Sequence, residues 1–180
     1  MVTLDTSSLQ DSNAQPPPGE IVVCPFKAIV DTREQHPWTF QGIQRGNDQY
    51  IVPREIATLA TGDYSIEGFE SQYTIERKSS DDLVGSVTAG HQRFEREHER
   101  MLAMIEAGGQ ACVICEGSLA SICDELTADG RWKARQTLVG CTASWPFKYR
   151  VPWFFAGSRF RAEDLAFSIL MKWWDRKEQM

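Results

Sequence analysis

The chain has 180 residues, of which 42% are hydrophobic and 24% are charged. A chain of this length and composition can bury a core of its own, which excludes a wholly disordered or fibrous protein. Its 19 basic and 25 acidic residues give a net charge of −6, which argues against a protein that grips nucleic acid through a uniformly basic surface. A local basic patch is compatible with that total.

The N-terminal half reads as a tail followed by short strands. Residues 1–20 are polar and rich in proline, which predicts a disordered tail before one domain at residues 21–180. The elements predicted next are an apolar central strand at residues 26–31, a loop at 33–47, an extended segment at 50–60, and a hairpin of residues 64–66 and 72–77.

The C-terminal half alternates helices and strands. The predicted elements are a helix with an apolar stripe from Phe94 to Ile105, a strand at 111–115, helices at 118–126 and 133–144, a strand at 151–156, and a last helix from Ser158 to about Lys177. Strands first, then strands alternating with helices, indicate an α/β sandwich in which a mixed central sheet is flanked by helices.

The composition also bears on the compartment of the protein. Five cysteines cannot all pair within one chain, and no apolar stretch typical of a secretory signal precedes the domain. We expect a reducing, intracellular location: the cytoplasm, or the nucleus if the organism is eukaryotic. No apolar run of roughly eighteen residues is present, so we expect no membrane span. The Cys112-Val113-Ile114-Cys115 run lies in a predicted strand, which favours buried apolar thiols over a zinc or redox site.

Charged residues cluster where the first strand and the hairpin end. Asp31 closes the apolar strand, Asp63 follows a glycine at a turn, and Glu76 and Lys78 lie two residues apart, on the same face of a strand. Carboxylates of this kind hold a hard cation such as Mg²⁺, which activates water and neutralises phosphate charge. A lysine beside them orients the water or stabilises developing charge.

Two arginines extend this cluster. Arg33 and Arg77 could clamp flanking phosphates through bidentate hydrogen bonds, and His91 and Arg93 lie where they could reach further phosphates. The alternative is a solvated hairpin face with cross-strand ion pairs, because an acid followed later by Glu-x-Lys also occurs by chance.

Three linked motifs resemble the nuclease domain of the XPF-type structure-specific endonucleases. They are Val30-Asp31-Thr32-Arg33-Glu34, Gly62-Asp63-Tyr64, and Glu76-Arg77-Lys78 followed by Ser79-Ser80-Asp81-Asp82-Leu83. The family signature is Gly-Asp, a variable spacer, Glu-Arg-Lys, three residues and Asp, here Asp82. The order of elements is also similar from Phe26 to Lys177.

The resemblance implies a three-layer restriction-endonuclease-like core and Mg²⁺- or Mn²⁺-dependent cutting of DNA at branched, flapped or distorted structures. By position, Asp31, Asp63 and Glu76 would be metal ligands, Lys78 would help activate water, and Arg33, Glu34, Arg77 and Asp82 would complete the site. Some family members keep the fold but lose the acids, so one alternative is a DNA- or partner-binding scaffold. A metal-dependent phosphohydrolase acting on other nucleic acid is a second alternative.

Partners are predicted from the same resemblance and from the last helix. Larger family members add helix-hairpin-helix units that grip DNA, so we expect a homodimer or a DNA-binding partner subunit here. Apolar residues from Leu165 to Trp174 form two stripes, which predicts burial on two sides and places a dimer interface near this helix. The alternative is that residues 133–144 cover the second stripe within one chain.

Overall fold

A computed structural model describes residues 19–178 of the chain. Within that range the strands are β1 Ile21–Val23, β2 Ala28–Asp31, β3 Gln44–Arg45, β4 Asp48–Ile51, β5 Arg54–Ala57, β6 Tyr64–Ile66, β7 Tyr73–Lys78, β8 Gln110–Cys115 and β9 Trp153–Phe155. The helices are α1 Ser80–Val87, α2 His91–Glu106, α3 Leu119–Ala128, α4 Trp132–Lys148 and α5 Arg159–Glu178. The predicted tail lies almost entirely outside the described residues, so its boundary at residue 20 stays a prediction.

The main sheet is mixed, as predicted. Its strand order is β5-β2-β6-β7-β8-β9, in which β6 runs antiparallel to β2 and β7, while β7, β8 and β9 are parallel. All residues of β7 are buried, because strands and helices cover it on every side. This central strand carries the Glu-Arg-Lys motif.

Helices and loops cover the two faces of the main sheet. Alternate residues of β8 divide between them: Cys112 and Ile114 pack with α5, while Ala111, Val113 and Cys115 pack with α1 to α4. The result is a three-layer α/β arrangement with one apolar core on each face of the sheet.

A second, small sheet was not predicted. It has the order β1-β4-β3, and β3 lies inside the segment predicted to be a loop. A tight turn at Gly46 (φ 61°) and Asn47 joins β3 to β4, and the Gly-Asn pair is a hairpin signal that the loop prediction overlooked. The extended segment predicted at residues 50–60 is also divided, because Pro53 separates β4 of the small sheet from β5 of the main sheet.

The helices differ from prediction mainly at their ends. A helix, α1, precedes the predicted stripe and is separated from α2 by Thr88-Ala89-Gly90. Helix α4 extends past the predicted end at Ser144 and accommodates Pro146 in its last turn. Proline there removes one helical hydrogen bond near the terminus, where the loss interrupts few further bonds.

Much of the second stripe of α5 is covered by the chain itself. Tyr50 of β4 contacts Phe167 at a ring distance of 5.3 Å, and Phe26 contacts Trp174 at 6.1 Å. Arg45 of β3 pairs with Asp164 at 2.6 Å. The small sheet and Phe26 supply much of this layer, whereas residues 133–144 pack in the core on the other face of the main sheet. The apolar stripes therefore do not by themselves require a second subunit at α5, and an interface near this helix stays a prediction.

The five cysteines are free thiols buried in the two cores. Cys112 and Cys115 face opposite sides of β8, which agrees with the prediction of buried apolar residues. None of the helices within residues 19–178 is long and apolar enough to cross a membrane.

Candidate active site

The three charged residues of β7, Glu76, Arg77 and Lys78, alternate between the two faces of the main sheet. Tyr73 and Ile75 pack on the α5 side, and Arg77 follows them at the same two-residue spacing. Glu76 and Lys78 point toward α2 instead. The motif Glu76-Arg77-Lys78 therefore builds two clusters, one on each face.

On the α2 side, Lys78 lies between two carboxylates. Its Nζ is 2.5 Å from Glu76 Oε1 and 3.9 Å from Glu97 Oε2. The ammonium also lies 4.9 Å from the centre of the Phe94 ring. Burial lowers the pKa of Lys78, but the carboxylates of Glu76 and Glu97 outweigh burial and raise it, so the lysine is a cation.

Asp63 lies beside this pair, at the turn before β6. Its backbone amide donates to Ile75 and its Oδ2 accepts the Arg77 backbone amide at 2.7 Å, which fixes the side chain against β7. Burial and the charge of Glu76 raise the pKa of Asp63 to about 8. Burial also raises the pKa of Glu76, although Lys78 opposes that shift. A buried carboxylate and a partly buried one thus each disfavour the ionised form of the other, which is the electrostatic situation that a bound cation relieves.

On the α5 side, Arg77 is held by two acids. Its Nη1 is 3.3 Å from Glu34 Oε1 and its Nε is 2.8 Å from Glu116 Oε1. Glu116 also accepts from Trp38 Nε1 at 3.0 Å and from Arg159 Nη1 at 2.9 Å. Because the Arg77 guanidinium is engaged by these carboxylates, the predicted phosphate clamp through Arg77 stays a prediction.

Asp31 is engaged by its own neighbours. Oδ1 accepts from the backbone amide and Nε of Arg33, and Oδ2 accepts from Arg33 Nη2 and the Leu59 amide. Burial raises the pKa of Asp31, but these hydrogen bonds outweigh it and lower the pKa overall. A cation-ligand role for Asp31 stays a prediction and requires Arg33 to release the carboxylate.

A polar cavity of about 670 Å³ opens over these residues. Its lining includes these predicted site residues: Arg33, Glu34, Asp63, Glu76, Arg77, Lys78, Asp82 and Arg93. Asp31 lies beneath rather than in the lining. Asp82 also supports the N-cap of α1, because the capping residue Ser79 accepts from the Asp82 amide through Oγ and donates to Asp82 Oδ2 at 2.7 Å. His91 instead bonds Val87 and contacts Trp145.

The donor set fits a hard divalent cation only in part. Asp63 and Glu76 offer carboxylate oxygens at the cavity, which is the ligand type that Mg²⁺ and Mn²⁺ take. Glu97 Oε2 is buried without a hydrogen-bond partner. Among residues 19–178, no three His, Cys, Asp or Glu side chains are grouped closely enough to form a complete protein cage. Water and substrate oxygens commonly supply the remaining ligands of Mg²⁺.

Two members of the clusters were missed by the sequence analysis. Glu97 lies on α2, where the apolar stripe of the helix dominates the pattern. Glu116 follows β8 directly, and an acid at the end of an apolar strand is the same signal that drew attention to Asp31. That signal could have found Glu116, whereas no local signal identified Glu97.

Known proteins share this fold. A structure of XPF from Aeropyrum pernix superposes with a TM-score of 0.55 at 20% sequence identity, covering 81% of this chain and 60% of that chain. A second, of XPF from Aeropyrum pernix in complex with DNA, gives 0.55 at 19% identity and covers 84% and 66%. The chain therefore spans less than two thirds of the XPF chains it matches.

Sequence comparison identifies the family. No curated protein sequence matches the chain. The sequence profile of the ERCC4 domain, however, matches residues 30–169 and so includes every charged residue of both clusters on β7. The chain therefore belongs to the ERCC4 domain family and carries an XPF-type nuclease domain.

Proposed function

We propose that the protein is a divalent-cation-dependent DNA endonuclease that acts on branched, flapped or distorted duplexes. The observation that carries the proposal is the buried Glu76–Lys78 pair beside Asp63, at the polar cavity of an ERCC4 domain. A solvated hairpin face does not account for this arrangement, because Glu76 and Lys78 are 6% and 8% exposed and buried charges are costly.

Asp63 and Glu76 would hold the cation, which is Mg²⁺ or Mn²⁺. When bound, it supplies charge neutralisation at the phosphate and lowers the pKa of the attacking water. The chain supplies the rest of the chemistry. Lys78 Nζ donates a hydrogen bond to the water or to the developing charge on the phosphate, and water attacks the phosphorus in line. The products carry a 5′-phosphate and a 3′-hydroxyl.

Exposed arginines at the cavity would bind the flanking phosphates. The side chains of Arg33 and Arg93 are 66% and 71% exposed, so both can reach a DNA backbone. Since the whole chain carries a net charge of −6, this contact is local, and DNA affinity depends on salt through a small number of phosphates.

A cleavage panel tests the proposal. Labelled single-stranded, duplex, flap, fork and four-way DNAs, with a matched RNA duplex, are incubated with Mg²⁺, Mn²⁺ or EDTA. We expect cleavage of branched DNA with either cation and none in EDTA, and loss of cleavage in Asp63→Asn. Asp124→Asn, an exposed acid on α3, is the matched control and should cleave normally.

The other outcomes decide between the alternatives. Full activity in EDTA or in Asp63→Asn would refute the cation mechanism. Tight DNA binding without cleavage by the wild type would favour the scaffold, and preferential cleavage of RNA would favour the phosphohydrolase.

We extend the proposal to a homodimer that forms through α4 rather than near α5. One face of this helix is apolar and exposed: Trp132 is 56%, Val139 40% and Phe147 85% exposed. Exposed apolar patches of this kind are uncommon in monomers.

The α4 face is also self-complementary. An antiparallel pairing of two copies about a two-fold axis places Trp132 opposite Phe147 and Val139 opposite Gly140. A side chain can fill the position beside Gly140, because a Cβ there would have no neighbour within 4 Å. The two aromatic residues that meet at each end and the fit of Val139 beside Gly140 support a second copy of the chain as the partner.

A further inference from the structure

One carboxylate near Lys78, outside the lining of the cavity, has no role in the proposed cleavage mechanism. Glu97 lies on α2, and its Oε2 is buried without a hydrogen-bond partner, 3.9 Å from Lys78 Nζ. A buried acceptor left unpaired usually costs stability, and an ionised one costs more.

The ion pairs near Glu97 do not explain why its carboxylate is buried. Arg93 Nε lies 3.8 Å from Glu97 Oε1, but the arginine is 71% exposed, and exposed pairs of this kind contribute little. Lys78 is already bonded to Glu76 at 2.5 Å. Glu97 is therefore a second and more distant partner of Lys78, whose first partner is Glu76.

Resting on the proposed function, we propose that Glu97 is a positioning residue that holds Lys78 at the cavity when a divalent cation engages Glu76. The two demands on Glu76 conflict, because a carboxylate that binds a cation is a weaker partner for an ammonium group. Glu97 gives Lys78 an alternative partner on the same side of the sheet. The lysine then stays within reach of the phosphate instead of being repelled from the cavity by the cation.

The spacing of the charges in the cluster agrees with this role. Glu76 Oε1 and Glu97 Oε2 lie 2.5 and 3.9 Å from the same ammonium, so Lys78 keeps a carboxylate neighbour when a cation engages Glu76. Without Glu97, Lys78 would have Glu76 alone and would compete more strongly with the cation for it.

Paired measurements on Glu97→Gln test the inference. Calorimetric titration of the DNA-free protein with Mn²⁺ reads cation affinity, and cleavage kinetics read kcat. We expect the Mn²⁺ dissociation constant to rise about fivefold or more and kcat to fall about tenfold, with DNA affinity unchanged. Glu97→Asp keeps the charge and should hold Mn²⁺ within about twofold of the wild type.

Glu99→Gln is the matched control, because Glu99 is an exposed acid on the same helix. If Glu97→Gln binds Mn²⁺ and turns over like Glu99→Gln, the inference is overturned, whatever happens to its melting temperature. If Glu97→Gln does not fold, Glu97→Asp decides: an intact Mn²⁺ affinity with a reduced kcat supports positioning, and an unchanged kcat overturns it.

The proposed function can fail separately. A wild type that binds Mn²⁺ but cleaves no nucleic acid would refute the nuclease proposal, while the Mn²⁺ affinities of the variants would still decide the role of Glu97. A wild type that binds no Mn²⁺ would overturn both.

Discussion

Arg77 and Lys78 are neighbours in the chain, yet their side chains serve clusters on opposite faces of one strand. Arg77 is bound by Glu34 and Glu116 on the α5 side, whereas Lys78 is bound by Glu76 and approached by Glu97 on the α2 side. The two positive charges are therefore not interchangeable. We expect loss of Arg77 to affect mainly folding, and loss of Lys78 to affect mainly turnover.

Substitution of Arg77 tests the structural half of this division. Arg77→Met leaves Glu34 deprived of an ion pair and Glu116 with only its other donors, in a region that is almost fully buried. Breaking a buried pair in this way costs about 3–5 kcal/mol in the free energy of unfolding. Chemical denaturation measures it. Arg96→Met, at an exposed position of α2, should cost less than about 0.5 kcal/mol, and equal stabilities for the two variants would contradict the assignment.

Substitution of Lys78 tests the chemical half. Lys78→Met retains the length of the side chain but removes the ammonium that faces the cavity. We expect kcat to fall about 100-fold or more, with DNA affinity within about twofold of the wild type. Lys172→Met, at a lysine that is 83% exposed, is the matched control. Normal turnover in Lys78→Met would contradict a catalytic role and indicate that this lysine is only structural.

The raised pKa of Asp63 predicts how stability depends on pH. The unfolded chain releases this proton near its ordinary pKa of 3.8, while the folded chain holds it up to about pH 8. The folded state thus binds more protons across that interval, so without a divalent cation this group makes the protein less stable as pH rises from about 4 to 8.

Asp63→Asn removes that penalty. Above about pH 8, in EDTA, we expect it to be more stable than the wild type by at least about 1 kcal/mol, or about 2–4 °C in Tm. The difference should shrink toward about pH 4, and Mg²⁺ should raise the Tm of the wild type more than that of the variant. Thermal melts at several pH values check this. A wild type with a higher Tm than Asp63→Asn in EDTA at high pH would contradict it.

The α4 face predicts the oligomeric state. Sedimentation equilibrium at micromolar concentration should give twice the 20.4 kDa of the chain. Val139→Glu places a charge at the centre of the pairing and should yield monomers. Phe160→Glu, at a residue of α5 that is 66% exposed and outside this face, should remain dimeric. A monomeric wild type would exclude the dimer, and a Val139→Glu variant that stays dimeric would place the interface elsewhere.

The sequence was most informative where geometry follows from local spacing. Residues that are two positions apart on a strand lie on the same face, so Glu76 and Lys78 could be paired from their spacing alone. The hairpin that brings Asp63 to them was predictable for the same reason. The mixed sheet followed from the order of the elements.

Other contacts depend on long-range packing. Glu97 reaches Lys78 only because α2 crosses β7 at that level, and no spacing rule relates residues of a helix and a strand. Asp31 and Arg33 were both assigned to the cavity, but their short separation lets them bind each other first. The small sheet escaped prediction because strands of two to four residues carry too little pattern.

The pairing of β7 with β8 has a consequence for how the protein acquires its chemistry. Tyr73–Lys78 is aligned with Gln110–Cys115, so the strand that bears the motif is completed by residues far along the chain, with α1 and α2 between them. Closing such a loop is an entropic cost that is recovered only when the sheet forms. In a partly folded chain Asp63, Glu76 and Lys78 are hydrated, and neither Asp63 nor Glu97 is held beside the Glu76–Lys78 pair. The proposed cleavage activity should therefore appear only when the chain has folded.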